Sequence, residues 1–211
     1  MNITVFGGTG KTGLLLLEKA LKSGHTVTVF ARTPSKISIQ HNNLKIVKGE
    51  LEEYGKIEEA IKNSDVVLSV LGPTQKTKGL AIANGIKNIV EAMKKNDVKR
   101  LIATATPAYK DSNDKFQIGF AFGIFMVKML IKDSYNNIVL TGKYIAESGL
   151  DWTIVRLPML SDKPANGKIN AGYTGDGTVS LFSLSRADLA DFLLQQVDDK
   201  KWLRKSPVIS N

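Results

Sequence analysis

Gly7, Gly10 and Gly13 stand at three-residue steps in the stretch ITVFGGTGKTG, residues 3–13. An apolar strand precedes them and a helical pattern follows. In that context Gly7 permits a tight turn off the strand, Gly10 permits the backbone to approach a pyrophosphate, and Gly13 permits close packing of the helix. The start of the helix then offers unpaired N–H groups and a partial positive charge to phosphates. The same stretch contains Gly10-Lys11-Thr12, the tail of a nucleoside-triphosphate loop. That pattern needs a further glycine ahead of four intervening residues. Val5 stands there, inside the strand, so the triphosphate reading fails. The spacing is G-x-x-G-x-x-G instead of the strict G-x-G-x-x-G, and the strand-to-helix context carries the dinucleotide reading.

A second chemical cue lies at the end of the next strand, in FARTPSK. Sites that prefer NAD place Asp or Glu there to bond the ribose hydroxyls. This chain has Arg32, whose guanidinium can fork onto a 2′-phosphate. The residues therefore predict NADP(H) in preference to NAD(H).

The elements that position these residues alternate between β-rich runs and helical periods. Strands are expected at 2–6, 26–30, 44–49, 65–71, 98–105, 151–157 and 207–210. Helices are expected at about 11–23, 54–62, 79–96 and 135–148, with a last one after Ser185, which suits an N-cap ahead of Asp188. Residues 107–134 read as irregular. Several strands lack polar alternation, as strands covered on both faces do. The expected fold is α/β, a doubly wound parallel sheet of the Rossmann type in three αβα layers, one domain over residues 1–211.

Composition narrows the function. The chain has 211 residues, no cysteine, and a formal charge of +9. Thiolate catalysis and cysteine-ligated zinc are excluded, and the cysteine-free composition suits a cytoplasmic setting. Two histidines without carboxylates at ligand spacing predict no metal site. The lysines are scattered without interleaved aromatics, so nucleic acid is not an expected partner. The longest apolar run, residues 118–127, ends at Lys128. It falls short of the roughly 18 residues a membrane span needs, so no stable insertion is expected. Asp188 and Asp191 read as a solvated face or a complement to the helix dipole.

Six stretches in order, VFGGTGKTG, GHTVTVFAR, VLGP, GIKNIVEAMKKNDVKRLI, ESGLDWTIVRLP and SRADLADFLL, resemble atypical short-chain dehydrogenase/reductases. The resemblance is to the flavin reductase/biliverdin-IXβ reductase-like group and spans nearly the whole chain. It implies that Thr9, Gly10, Lys11, Thr12 and Gly13 line the pyrophosphate. Arg32 and Thr33 would meet the 2′-phosphate. Glu50 and Leu51 would lie beside the adenine, with Glu where the group usually has Asp. Leu71 and Gly72 would border the ribose, and Pro158, Met159 and Leu160 the nicotinamide. Segments 107–134 and 159–180 would form the variable acceptor side.

Standard members pass a proton through a Tyr-x-x-x-Lys pair. None of the five tyrosines here has lysine four residues on, and Lys143 follows Val139 at that spacing. Thr106 and Lys143 remain as candidate catalytic groups. The resemblance then implies an oxidoreductase moving hydride from NADPH to a small conjugated acceptor such as a flavin or quinone. It also extends to catalytically weak NADP(H)-binding redox sensors. Residues 115–131, rich in phenylalanine, read as an acceptor wall or as a buried or interface helix, and a homo-oligomer is compatible with them.

Overall fold

Every residue of the first strand after Asn2 is buried, although its side chains point alternately to opposite faces. Ile3 and Val5 enter one apolar cluster and Phe6 another. Thr4, between them, is buried without penalty because its hydroxyl donates to Ala60 O at 2.8 Å. Such a strand is stable only between two helical layers.

A computed structural model describes residues 1–74, 77, 79–180 and 183–211. In chain order the elements are β1 (Asn2–Phe6), α1 (Lys11–Lys22), β2 (Thr26–Ala31), β3 (Leu44–Lys48), α2 (Tyr54–Ile61), β4 (Val66–Ser69), α3 (Ala81–Lys95) and β5 (Arg100–Ala105). There follow α4 (Ile118–Leu130), α5 (Lys132–Ala146), β6 (Asp151–Arg156), β7 (Leu160–Ser161), β8 (Asn170–Gly172), β9 (Leu184–Ser185), α6 (Arg186–Gln195) and β10 (Val208–Ser210).

Among the described residues eight strands form one sheet in the order β3-β2-β1-β4-β5-β6-β10-β8, and β7 pairs with β9 apart from it. All ladders of the large sheet are parallel except β10 with β8. Helices α1 and α6 cover one face, and α2, α3 and α5 cover the other. The chain leaves β1 toward β2 on one side and reaches β4 on the other. The strand order therefore reverses between β1 and β4, and a crevice opens beyond their carboxyl ends.

The doubly wound sheet is as the sequence predicts, and Ser185 caps α6 by accepting from Asp188 N at 3.0 Å. Two readings need correction. Residues 107–134 are not irregular throughout: α4 occupies 118–130. Its apolar residues run all round the helix, which hides the 3.6-residue period. Nor is it a buried helix, because only Phe120 is buried. Asp188 is likewise no solvated residue, at 1% exposure. Its carboxylate accepts from Ser185 Oγ, the N–H groups of Asn166 and Gly167, and Asn211 Nδ2. Burial pushes that carboxyl up, but these four donors outweigh it and hold it below the usual range.

Candidate functional site

The crevice begins where β1 ends. Gly7 has φ +86°, and a Cβ there would lie 2.9 Å from Val70 C and O, so only glycine turns the chain away from β4. A Cβ on Gly8 would strike Val29 Cγ2 on β2. A Cβ on Gly13 would lie 2.7 Å from Gly8 Cα and still nearer to Gly7 O. The first turn of α1 thus rests directly on the loop. Gly10 differs: a Cβ there would meet only Gly7 O, at an ordinary 3.5 Å. Its N–H closes the turn on Gly7 O at 3.1 Å. The amino end of α1 has no side-chain cap and no acid in its first turn. Its leading N–H groups and its positive dipole end are therefore free for an anion.

A cleft of about 560 Å³ lies against this loop. Its floor is Phe6, Gly7, Thr9 and Gly10, and one wall is Phe30, Ala31, Arg32, Thr33 and Lys36. Gly49, Glu50, Leu51 and Glu52 form the next wall, and Val70, Leu71 and Gly72 close it together with the start of α3. Leu51 is fixed from behind: its carbonyl accepts from Asn88 Nδ2 at 2.8 Å, and its side chain fills the space a Cβ on Gly85 would need.

The start of α3 also borders the cleft, but its N–H groups are taken. Asn137 of α5, fully buried, accepts from Ile82 N at 3.0 Å and Ala83 N at 3.1 Å through Oδ1. Its Nδ2 donates to Gly79 O at 2.6 Å and Asp133 O at 2.8 Å. Every bonding position of the amide is used. Asn137→Ala is expected to leave the N–H groups of buried Ala83 and half-buried Ile82 without their acceptor, at about 1–3 kcal/mol each. A thermal melt should show Tm lowered by about 5–20 °C.

The cleft gathers Gly7, Thr9, Gly10, Arg32, Thr33, Glu50, Leu51, Leu71 and Gly72 from the residues predicted by sequence. Thr12 and Gly13 sit behind them in the first turn of α1. Lys11 turns away and pairs with Asp162, whose other oxygen holds Arg186. Lys11, with Arg186 beside it, keeps the Asp162 carboxyl below the usual range. Pro158 and Met159 lie outside the cleft lining on the strap between β6 and β7, Met159 exposed.

Thr106 and Lys143 are not in the lining either. The Thr106 hydroxyl accepts from Ala108 N at 3.3 Å, and Lys143 is exposed on α5. Tyr109 packs its ring on Gly142, the residue before Lys143, where a Cβ would lie 2.6 Å from Cε2. Burial, with Asp111 nearby, holds its phenol above the usual value. A Tyr–Lys relay needs the opposite shift.

Residues 109–114, 174 and 206 are tied together by Arg156, a residue at 0% exposure at the end of β6. Nε donates to Ser206 O at 2.6 Å, and Nη1 to Tyr109 O at 3.1 Å and Asp114 Oδ2 at 2.6 Å. Nη2 completes the fork on Asp114 Oδ1 at 2.8 Å. Asp114 also accepts from Thr174 N and Asp111 N, and Asp111 accepts from Ser206 Oγ. Sequence reasoning missed Gly8, Lys36, Asn137 and Arg156. Their signals are present: a doubled glycine, a lysine four residues past Arg32, an asparagine pair inside a helix, and an arginine among apolar strand residues.

Fold and cleft together define a Rossmann-type α/β protein with its cleft at the switch point. The chain belongs to a family of NAD(P)H-binding proteins, whose model matches residues 7–200. The phenylcoumaran benzylic ether reductase IRL1 of Ginkgo biloba is 26% identical over 225 residues, covering 97% of this chain and 67% of that protein. The chain spans about two thirds of the length of the curated relatives it matches. A short-chain dehydrogenase/reductase of Veillonella parvula in complex with NADP superposes with a TM-score of 0.83 at 20% identity, covering 100% of this chain and 94% of that one. ChuY, an anaerobilin reductase of Escherichia coli, gives 0.81 at 18% identity, covering 100% and 97%. These likenesses concern the fold.

Proposed function

We propose that the chain is a cytoplasmic NADPH-dependent reductase that delivers hydride to a small conjugated acceptor such as a flavin or quinone. The observation that carries this is one cleft in which the open amino end of α1 shares a mouth with Arg32, Thr33 and Lys36. The cleft fits a dinucleotide: the loop leaves room at Gly10 that no protein atom needs. The leading N–H groups of α1 would hold the pyrophosphate, and Arg32 and Lys36 the 2′-phosphate. Leu51 and Leu71 would supply apolar contact beside adenine and ribose. The reduced nicotinamide supplies the hydride when bound. With Thr106 and Lys143 outside the cleft lining, solvent would supply the proton that follows. Relatives named as reductases of aromatic and bilin-type compounds support the acceptor class.

The same position of Thr106 and Lys143 outside the lining favours a second reading, an NADP(H) sensor with weak turnover. Calorimetry with NADPH and NADH, followed by absorbance of the reduced nicotinamide with FMN, riboflavin and a small quinone, separates the two. Acceptor-dependent oxidation supports the reductase, and tight binding without turnover supports the sensor. Arg32→Ala is expected to weaken NADPH by about 1.5–3 kcal/mol, roughly ten- to a hundredfold, with NADH little changed. Equal NADPH affinity in that variant would remove Arg32 from the 2′-phosphate.

A further inference from the structure

Helix α4 is apolar and almost uncovered. Ile118, Phe122, Phe125 and Met129 repeat at steps of four, three and four, which sets them along one side of the helix. They are 77%, 65%, 55% and 66% exposed. Phe116, at 84%, and Leu130, at 73%, extend the patch at its ends. Contiguous large apolar side chains in water mark a contact surface.

The charge around the stripe says what it contacts. Residues 115–132 carry Lys115, Lys128 and Lys132 and no Asp or Glu. All three lysines are exposed. The next acid, Asp133, accepts from Gly79 N at 3.2 Å on the side of α3. Were two copies to pair through the stripe with helices antiparallel, the lysine before one helix would face those at the end of the other, with no carboxylate from this segment to meet them. An anionic bilayer satisfies both features, acyl chains taking the stripe and headgroup phosphates the lysines. Thirteen residues of helix span about 20 Å, less than the roughly 30 Å of a hydrocarbon core. Among the described residues no helix is long and apolar enough to cross a membrane.

We propose that α4 docks the protein on anionic lipid surfaces, lying in the interface plane with Ile118, Phe122, Phe125 and Met129 inserted. The probe is vesicles of phosphatidylcholine with or without phosphatidylglycerol. The protein is expected to sediment with the mixed vesicles, to stay in solution with phosphatidylcholine alone, and to be released as salt screens the lysines. A Phe125→Trp variant should show a blue-shifted emission component with the mixed vesicles, read against the wild-type background of Trp152 and Trp202. Phe125→Asp should cut the bound fraction at least about tenfold with Tm unchanged, since the position is exposed. Absence of sedimentation together with an unshifted emission would overturn the proposal. So would a lipid-free, concentration-dependent dimer that Phe125→Asp dissolves, because that outcome assigns the stripe to a second copy.

Discussion

Asp114→Ala is expected to lower stability by about 3–5 kcal/mol, the cost of stranding a buried cation. Arg156 would keep only the carbonyls of Ser206 and Tyr109, and the N–H groups of Asp111 and Thr174 would lose their acceptor. Chemical denaturation should show a lower midpoint with the slope unchanged. The pH dependence has a definite sign. Burial pushes the Asp114 carboxyl up, yet Arg156 and the Asp111 N–H outweigh it, and the net pKa lies below its ordinary value. Its contribution is therefore complete above the unfolded carboxylate pKa, about 4, and is lost as pH falls through the folded value. Asp114→Asn should remove that part of the acid-side slope in melts between neutral pH and pH 3. The parts due to Asp111 and Asp188, whose carboxyls are also lowered, should remain.

A second pair of variants separates folding from binding within one loop. Gly13→Ala puts a Cβ against backbone, Gly8 Cα at 2.7 Å and Gly7 O nearer still, and backbone yields only by moving the loop or the helix. The expected cost is about 1–3 kcal/mol of stability, with NADPH binding lost as the leading N–H groups of α1 shift. Gly10→Ala meets no protein atom closer than 3.5 Å, and the residue has an ordinary φ of −81°. Its stability should hold or rise by about 0.4–1 kcal/mol, because the unfolded chain loses freedom. NADPH affinity should nevertheless fall, since the methyl group would stand on the route proposed for the pyrophosphate. Full affinity in Gly10→Ala would show that the phosphates take another route.

The first half of the chain was legible for a physical reason. From β1 to β5 each strand except the edge strand β3 is buried on both faces, and each turn carries glycine or a polar break, so local pattern and global fold agree. The same agreement placed Gly7, Thr9, Gly10, Arg32 and Glu50 around one cleft. Beyond Ala105 the order depends on contacts distant in sequence. Strands β7 and β9 are two residues each and β8 three, too short to show alternation. Arg156 is held by Asp114 and Ser206, and Asn137 serves α3 as well as its own helix. Lys11 reads as a phosphate ligand from its neighbours in sequence, whereas its partner Asp162 lies a hundred and fifty-one residues away.

All residues lining the cleft lie between positions 6 and 82, and β5 is complete at Ala105. Segments 107–134 and 159–180 are secured by residues 206–211: Ser206 holds Arg156 and Asp111, β10 holds β8, and Asn211 holds Asn166 and Lys168. During synthesis about a hundred residues separate those two points, a delay of about 5–20 s at ordinary elongation rates. All the residues lining the cleft are thus synthesised well before those that clasp segments 107–134 and 159–180.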